Sequence, residues 1–277
     1  MRTPLSPSTS GQWALVTGGS SGIGQAFAHQ LAKKGFDMVI VGRNSTRLEL
    51  TKRVIEAAAG VTVDTVQLDL SHDDSGDRLL EAVAGRNIGV YVAVAGEGTP
   101  GLFWRSEADE YLDCVNLKVR TNLVVTHALA RDMRARGRGH ILLVTSTGAL
   151  QGVPKLASNA AAEAYLLALG EALHHELKPY GVNASVLLPG PTRTPGLSAM
   201  VPNPKDYPPG TSSPESTAAQ GIRLLERGKV FHIAGALNRT MLSTLSRRAR
   251  TRVMGKMVGS LFVAEADKVS SAAGDAR

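Results

Sequence analysis

Apolar residues fall along this chain in short runs, separated by longer stretches with helical spacing. The first run, Trp13-Ala14-Leu15-Val16, reads as a short buried strand. Thr17-Gly18-Gly19-Ser20-Ser21-Gly22-Ile23-Gly24 follows, and residues 25–34 then have helix-forming composition that Gly35 ends. Runs at 37–41, 61–68, 88–94, 140–144 and 182–188 predict five more strands, and 229–233 predicts a last one. Helices are expected from a cap at Asn44 or Ser45 to Ala59, over about 74–84, in two stretches across 107–136, over 156–177 and over 214–227. Strands alternating with helices of this length predict a parallel sheet covered on both faces by right-handed crossovers. The fold class is therefore α/β, a doubly wound Rossmann-type sheet, with one domain over residues 12–235.

Two stretches break the alternation. Between residues 195 and 214, Pro195, Pro202, Pro204, Pro208, Pro209 and Pro214 interrupt any regular element, so a long substrate loop is expected there. Residues 236–264 predict a basic amphipathic helix or helix pair, with Leu237, Met241, Leu242, Leu245, Val253, Met257 and Leu261 at helical spacing. No acidic residue lies between Phe231 and Ala264, whereas Arg239, Arg247, Arg248, Arg250, Arg252 and Lys256 all do. The apolar stripe is expected to pack on the domain or on a subunit of a homo-oligomer. The cationic face suits, alternatively, an anionic membrane surface, a CoA or a carrier protein. No recognition motif accompanies the charge, so nucleic acid is not expected as a partner. Residues 1–11, rich in Pro, Ser and Thr, and 265–277 read as disordered tails.

A hydrophobic content of 43% over 277 residues suffices for one substantial core. Cys114 is the only cysteine, so no intrachain disulfide can form and a reducing cytoplasm is the expected location. His174-His175-Glu176 lacks the spacing of a metal-binding helix, and no metal site is expected. Chemistry concentrates in the glycine-rich turn. A helix that opens just after such a turn aims unpaired N–H groups at whatever sits there, which suits a dinucleotide pyrophosphate.

With these residues in view, the chain resembles the short-chain dehydrogenase/reductase family across roughly residues 13–235. Thr17-Gly18-x-x-x-Gly22-x-Gly24, with Ser20, Ser21 and Ile23 inside it, matches the family's glycine motif. Asp69-Leu70 matches the pair that meets the adenine ring, and Ala95-Gly96 the second half of the family's Asn-Asn-Ala-Gly. Pro189-Gly190-x-Thr192-x-Thr194 matches the motif that holds the nicotinamide end. Asn116 and Ser146 stand where the family keeps an asparagine that orders a relay water and a serine that orients substrate. The family's Tyr-x-x-x-Lys, however, falls on Asn159 and Glu163.

The resemblance implies an oxidoreductase acting on an alcohol or carbonyl of a fairly apolar small molecule. The two replacements imply that ordinary ketone reduction is weakened or lost, because asparagine is no general acid near neutral pH. Asn159 and Glu163, four residues apart on one helical face, are expected to form a polar cluster with Ser146 and Asn116. Two other classes stay open: an isomerase, dehydratase or cyclase with Glu163 as base, or a catalytically silent nucleotide-binding protein. For the cofactor, the end of the second strand reads Val41-Gly42-Arg43, with Arg47 one turn on. An arginine there can pair with a 2′-phosphate, which favours NADP(H) over NAD(H).

Overall fold

The computed structural model describes residues 5–96 and 98–259. Seven parallel strands form one sheet in the order β3-β2-β1-β4-β5-β6-β7. They are β1 (Trp13–Thr17), β2 (Asp37–Gly42), β3 (Val63–Gln67), β4 (Ile88–Ala93), β5 (Gly139–Val144), β6 (Val182–Leu188) and β7 (Phe231–Ile233). The order reverses between β1 and β4, so a crevice opens at the carboxyl ends of those two strands. β4 is buried at every position, as a central strand covered on both faces must be.

The helices divide between the faces. On one side Phe27 and Leu31 of α2 (Gly22–Ala32) and Leu48 and Ile55 of α3 (Ser45–Ala59) join Leu224 of α9 (Pro214–Glu226) in the core. On the other, Leu79 of α4 (Ser75–Ala82), Val125 and Met133 of α6 (Thr121–Arg136) and Leu166 of α7 (Ala157–Leu177) do the same. The two stretches expected over 107–136 are α5 (Ala108–Val115) and α6, joined without a break by a π-helical turn, Asn116–Arg120. Asn44 caps α3 by accepting the Arg47 N–H at 2.9 Å.

Two expectations are corrected. Residues 5–11 are not a disordered tail: Leu5 is 2% exposed within the core, and α1 (Pro7–Ser10) packs against the amino-terminal ends of β4 and β5. One leucine anchors the segment, and Pro7 at the first helical position fits there because its missing N–H is not needed. The proline-rich stretch is not free of regular structure either. Thr194 caps α8 (Pro195–Met200), and Pro204–Asp206 form a 3₁₀ turn. Both prolines occupy helix starts, where their fixed φ is an advantage.

The basic extension is a pair of helices, α10 (Ala236–Thr244) and α11 (residues 247–259). Met254 and Val258 of α11, neither of them in the expected stripe, bury themselves against Val153 and Ala160; of that stripe Leu242 is buried and Met257 packs beside them, whereas Leu237 and Val253 are exposed. Among the described residues no helix is long and apolar enough to cross a membrane. The side chain of Met241, Leu261 and the expected tail 265–277 lie outside the described residues.

Candidate active site

The crevice at the strand reversal is a cleft of about 620 Å³. Its floor is the β1–α2 turn, where Gly18, Ser20, Ser21, Gly22, Ile23 and Gly24 all line the wall. Gly22 has φ +53°, and a Cβ on Gly24 would lie 2.2 Å from the Gly18 carbonyl oxygen, so this tight turn excludes larger residues. Ser21 precedes α2 without a side-chain cap, which leaves first-turn N–H groups for an anion. Thr17 Oγ1 accepts the N–H groups of Val94 and Ala95 at 3.1 and 3.2 Å, fixing the loop after β4 on the opposite wall.

Arg43, Arg47, Asp69 and Leu70 line the β2–β3 side of the cleft, and Ala95, Gly96 and Thr194 line it elsewhere. Burial pushes the Asp69 carboxyl up, but two hydrogen bonds from Ser71 and the charges of Arg43 and His72 outweigh that and hold it below the usual value. Pro189, Gly190 and Thr192 are not in the wall. The Pro189 carbonyl accepts the Thr147 N–H, the Thr192 hydroxyl donates to the Gly190 carbonyl, and Gly190 is pressed against Asn238 of α10.

The polar cluster is assembled around Glu163. Ser146, just after β5, donates its hydroxyl to Oε2 of Glu163, and its oxygen accepts the Gly148 N–H at 2.9 Å. Asn159 Nδ2 donates to Oε1 at 3.1 Å, so the pair shares one helical face as the spacing predicts. Asn116 does not join them: among the described residues its side chain makes no hydrogen bond, and its carbonyl accepts the Thr121 N–H that closes the π turn. In its place stands Lys118, whose Nζ lies 3.1 Å from Glu163 Oε1. Glu163 is 5% and Lys118 8% exposed, a buried ion pair. Sequence reading missed Lys118, although two signals pointed to it. It lies four residues after buried Cys114 on one face, and an acid on the buried face of α7 requires a cationic partner.

The cluster abuts the cleft wall. A Cβ on Gly98 would lie 2.8 Å from Asn159 Oδ1, and one on Gly96 would lie 3.0 Å from Lys118 Nζ. The loop after β4, whose Gly96 and Gly98 line the cleft, therefore lies directly against Lys118 and Asn159. Cys114 lines the cleft nearby. Burial pushes its thiol up, opposed by the Lys118 charge and a hydrogen bond with Ser158, while Glu163 adds to the rise.

Comparison with known proteins places this architecture. The family model "short chain dehydrogenase" matches residues 12–205. A 7beta-hydroxysteroid dehydrogenase from Clostridium sardiniense is 29% identical, over 91% of this chain and 96% of its own length. A solved 7beta-hydroxysteroid dehydrogenase structure superposes with a TM-score of 0.84 at 25% identity, over 92% of this chain and all of that one. A very-long-chain 3-oxoacyl-CoA reductase from Neurospora crassa is 32% identical over 71% of this chain, which spans only 62% of the reductase. A structure from Beutenbergia cavernae with bound NADP at low occupancy matches 80% of this chain and 94% of its own, with a TM-score of 0.72 and 25% identity.

Proposed function

Because the chain belongs to the short-chain dehydrogenase family, we propose that its cleft binds NADP(H) and serves an oxidoreductase acting on an apolar small molecule. The substrate is an alcohol or carbonyl compound of the broad kind that the hydroxysteroid and oxoacyl relatives' names describe. Arg43 and Arg47 supply two cations beside the cleft end of β2, where a 2′-phosphate is bound, and the uncapped start of α2 takes the pyrophosphate. The bound cofactor supplies hydride chemistry; the chain's own residues bind, orient and exclude water.

In this reading ordinary ketone reduction is weakened, since Asn159 and Glu163 occupy the positions of the family's tyrosine and lysine. One observation carries it. The Ser146 hydroxyl proton is committed to Glu163, and both Glu163 oxygens already accept donors, from Ser146 on one side and from Lys118 and Asn159 on the other. No hydroxyl in the cluster is aimed at the cleft to polarise a carbonyl. The three donors on the carboxylate and its burial count against Glu163 as the base of an isomerase or dehydratase, because a base needs a lone pair facing substrate.

Absorbance of reduced nicotinamide, followed over a panel of steroid and other apolar ketones, tests the proposal. Wild-type protein is expected to bind NADPH and to oxidise it ~10²–10⁴-fold more slowly than a reductase with a positioned acid. Rapid reduction by the wild type that Asn159→Ala leaves unchanged overturns the reading of the lost acid.

A further inference from the structure

Lys118 is a charged group for which the cleft's known parts provide no task. An ammonium carries three N–H donors. Among the described residues Lys118 gives one, to Glu163 Oε1 at 3.1 Å. At 8% exposure it has little access to bulk water for the other two, and an unsatisfied buried cation is costly. Its tip rests against Gly96, where a Cβ would come within 3.0 Å of Nζ and 3.2 Å of Cε. Gly96 is itself cleft wall. The lysine thus holds its spare donors against the cleft wall, in the close approach that glycine at 96 leaves open.

The sheet order says which part of a bound molecule that is. Arg43 follows β2 and Gly96 follows β4, on opposite sides of β1. Two strand spacings, about 10 Å, separate them. A dinucleotide held by Arg43 at its adenosine end brings its other half to Gly96. We propose that Lys118 is a ligand-binding residue of this cleft. It gives its remaining N–H donors to oxygen acceptors in the nicotinamide–ribose half of the dinucleotide. Glu163 is the positioning residue that holds the ammonium against Gly96. The proposal rests on the reading of the cleft as an NADP(H) site.

The competing account is that Lys118 only neutralises Glu163. Calorimetric titration of NADPH and of 2′,5′-ADP into wild type and Lys118→Met/Glu163→Gln separates the two. The double variant leaves no unpaired buried charge and keeps an acceptor for Ser146. Should it not fold, Lys118→Met/Glu163→Met replaces the pair by an apolar one of similar volume, an exchange often neutral or stabilising. The expected result is NADPH binding weakened tenfold or more at an unchanged melting temperature, with 2′,5′-ADP within twofold of wild type. Native NADPH affinity in the double variant overturns the Lys118 assignment alone, as does an equal loss for both ligands. A wild type that binds neither ligand overturns the cofactor reading, and the Lys118 proposal with it.

Discussion

Asn159→Tyr with Glu163→Lys is the direct way to ask whether the rest of a reductase site is in place. The geometry predicts that this pair of substitutions fails for a reason unrelated to catalysis. Glu163 Oε1 lies 3.1 Å from Lys118 Nζ, and both side chains are buried. A second ammonium seated there, about 4 Å from the first, is repelled by roughly 4 kcal/mol at an effective dielectric near 20. The attraction of the original pair is lost as well. Against a total stability of about 5–15 kcal/mol this is a large fraction. For a chain of this size, roughly 2 °C per kcal/mol places the fall in melting temperature at about 8 °C or more.

Adding Lys118→Met removes the second cation and returns the local charge to one positive group on α7. Thermal melts of wild type, double and triple variants read the stability, and absorbance of reduced nicotinamide over the ketone panel reads the chemistry. The triple variant is expected to melt well above the double variant and to oxidise NADPH with apolar ketones faster than wild type. Equal melting temperatures for double and triple variants refute the ion-pair argument. A stable triple variant no faster than wild type, yet still binding NADPH, refutes the idea that Asn159 and Glu163 are what the site lacks.

Two further outcomes follow from other parts of the structure. Arg43→Ala is expected to weaken NADPH at least about tenfold, a charge-assisted contact's worth, and NADH far less; equal changes by calorimetry remove Arg43 from the phosphate site. His140 is 9% exposed, and burial lowers its pKa to about 4, with Glu226 opposing slightly. The unfolded chain takes up that proton near pH 6.5 and the folded one only near 4, so stability falls as pH drops through that window, by up to about 3 kcal/mol. Urea midpoints at pH 7 and 4.5 should show His140→Leu flattening this slope; an unchanged slope refutes the assignment.

Most of the frame was legible because its signals are local. Apolar runs such as Val182–Leu188 carry their own strand, and the Gly18–Gly24 turn announces a site that only glycines can build. The errors came from weighing composition over single residues. Leu5 alone converts a polar tail into packed structure, and Pro195 and Pro204 start short helices that a count of prolines argues against. Lys118 escaped for a different reason: its partner is 45 residues away, so its spacing from Cys114 and the need of a buried acid for a cation point to it only when taken together.

That pairing bears on whether Glu163 is mere drift from the family pattern. Leaving one member of a buried ion pair without the other costs about 3–5 kcal/mol, so a buried, ionised Glu163 presupposes Lys118. The two residues form one structural unit, with the Lys118 tip seated against Gly96. Asn159 is bound by no such condition. It is half-buried, and its amide donates to a carboxylate that Ser146 and Lys118 already hold. In the proposed reading, the missing hydroxyl at 159 and the carboxylate at 163 are thus physically separate matters. Asn159 offers no hydroxyl proton, while the cation beside the cleft is that of Lys118, in the turn before α6 and not on α7.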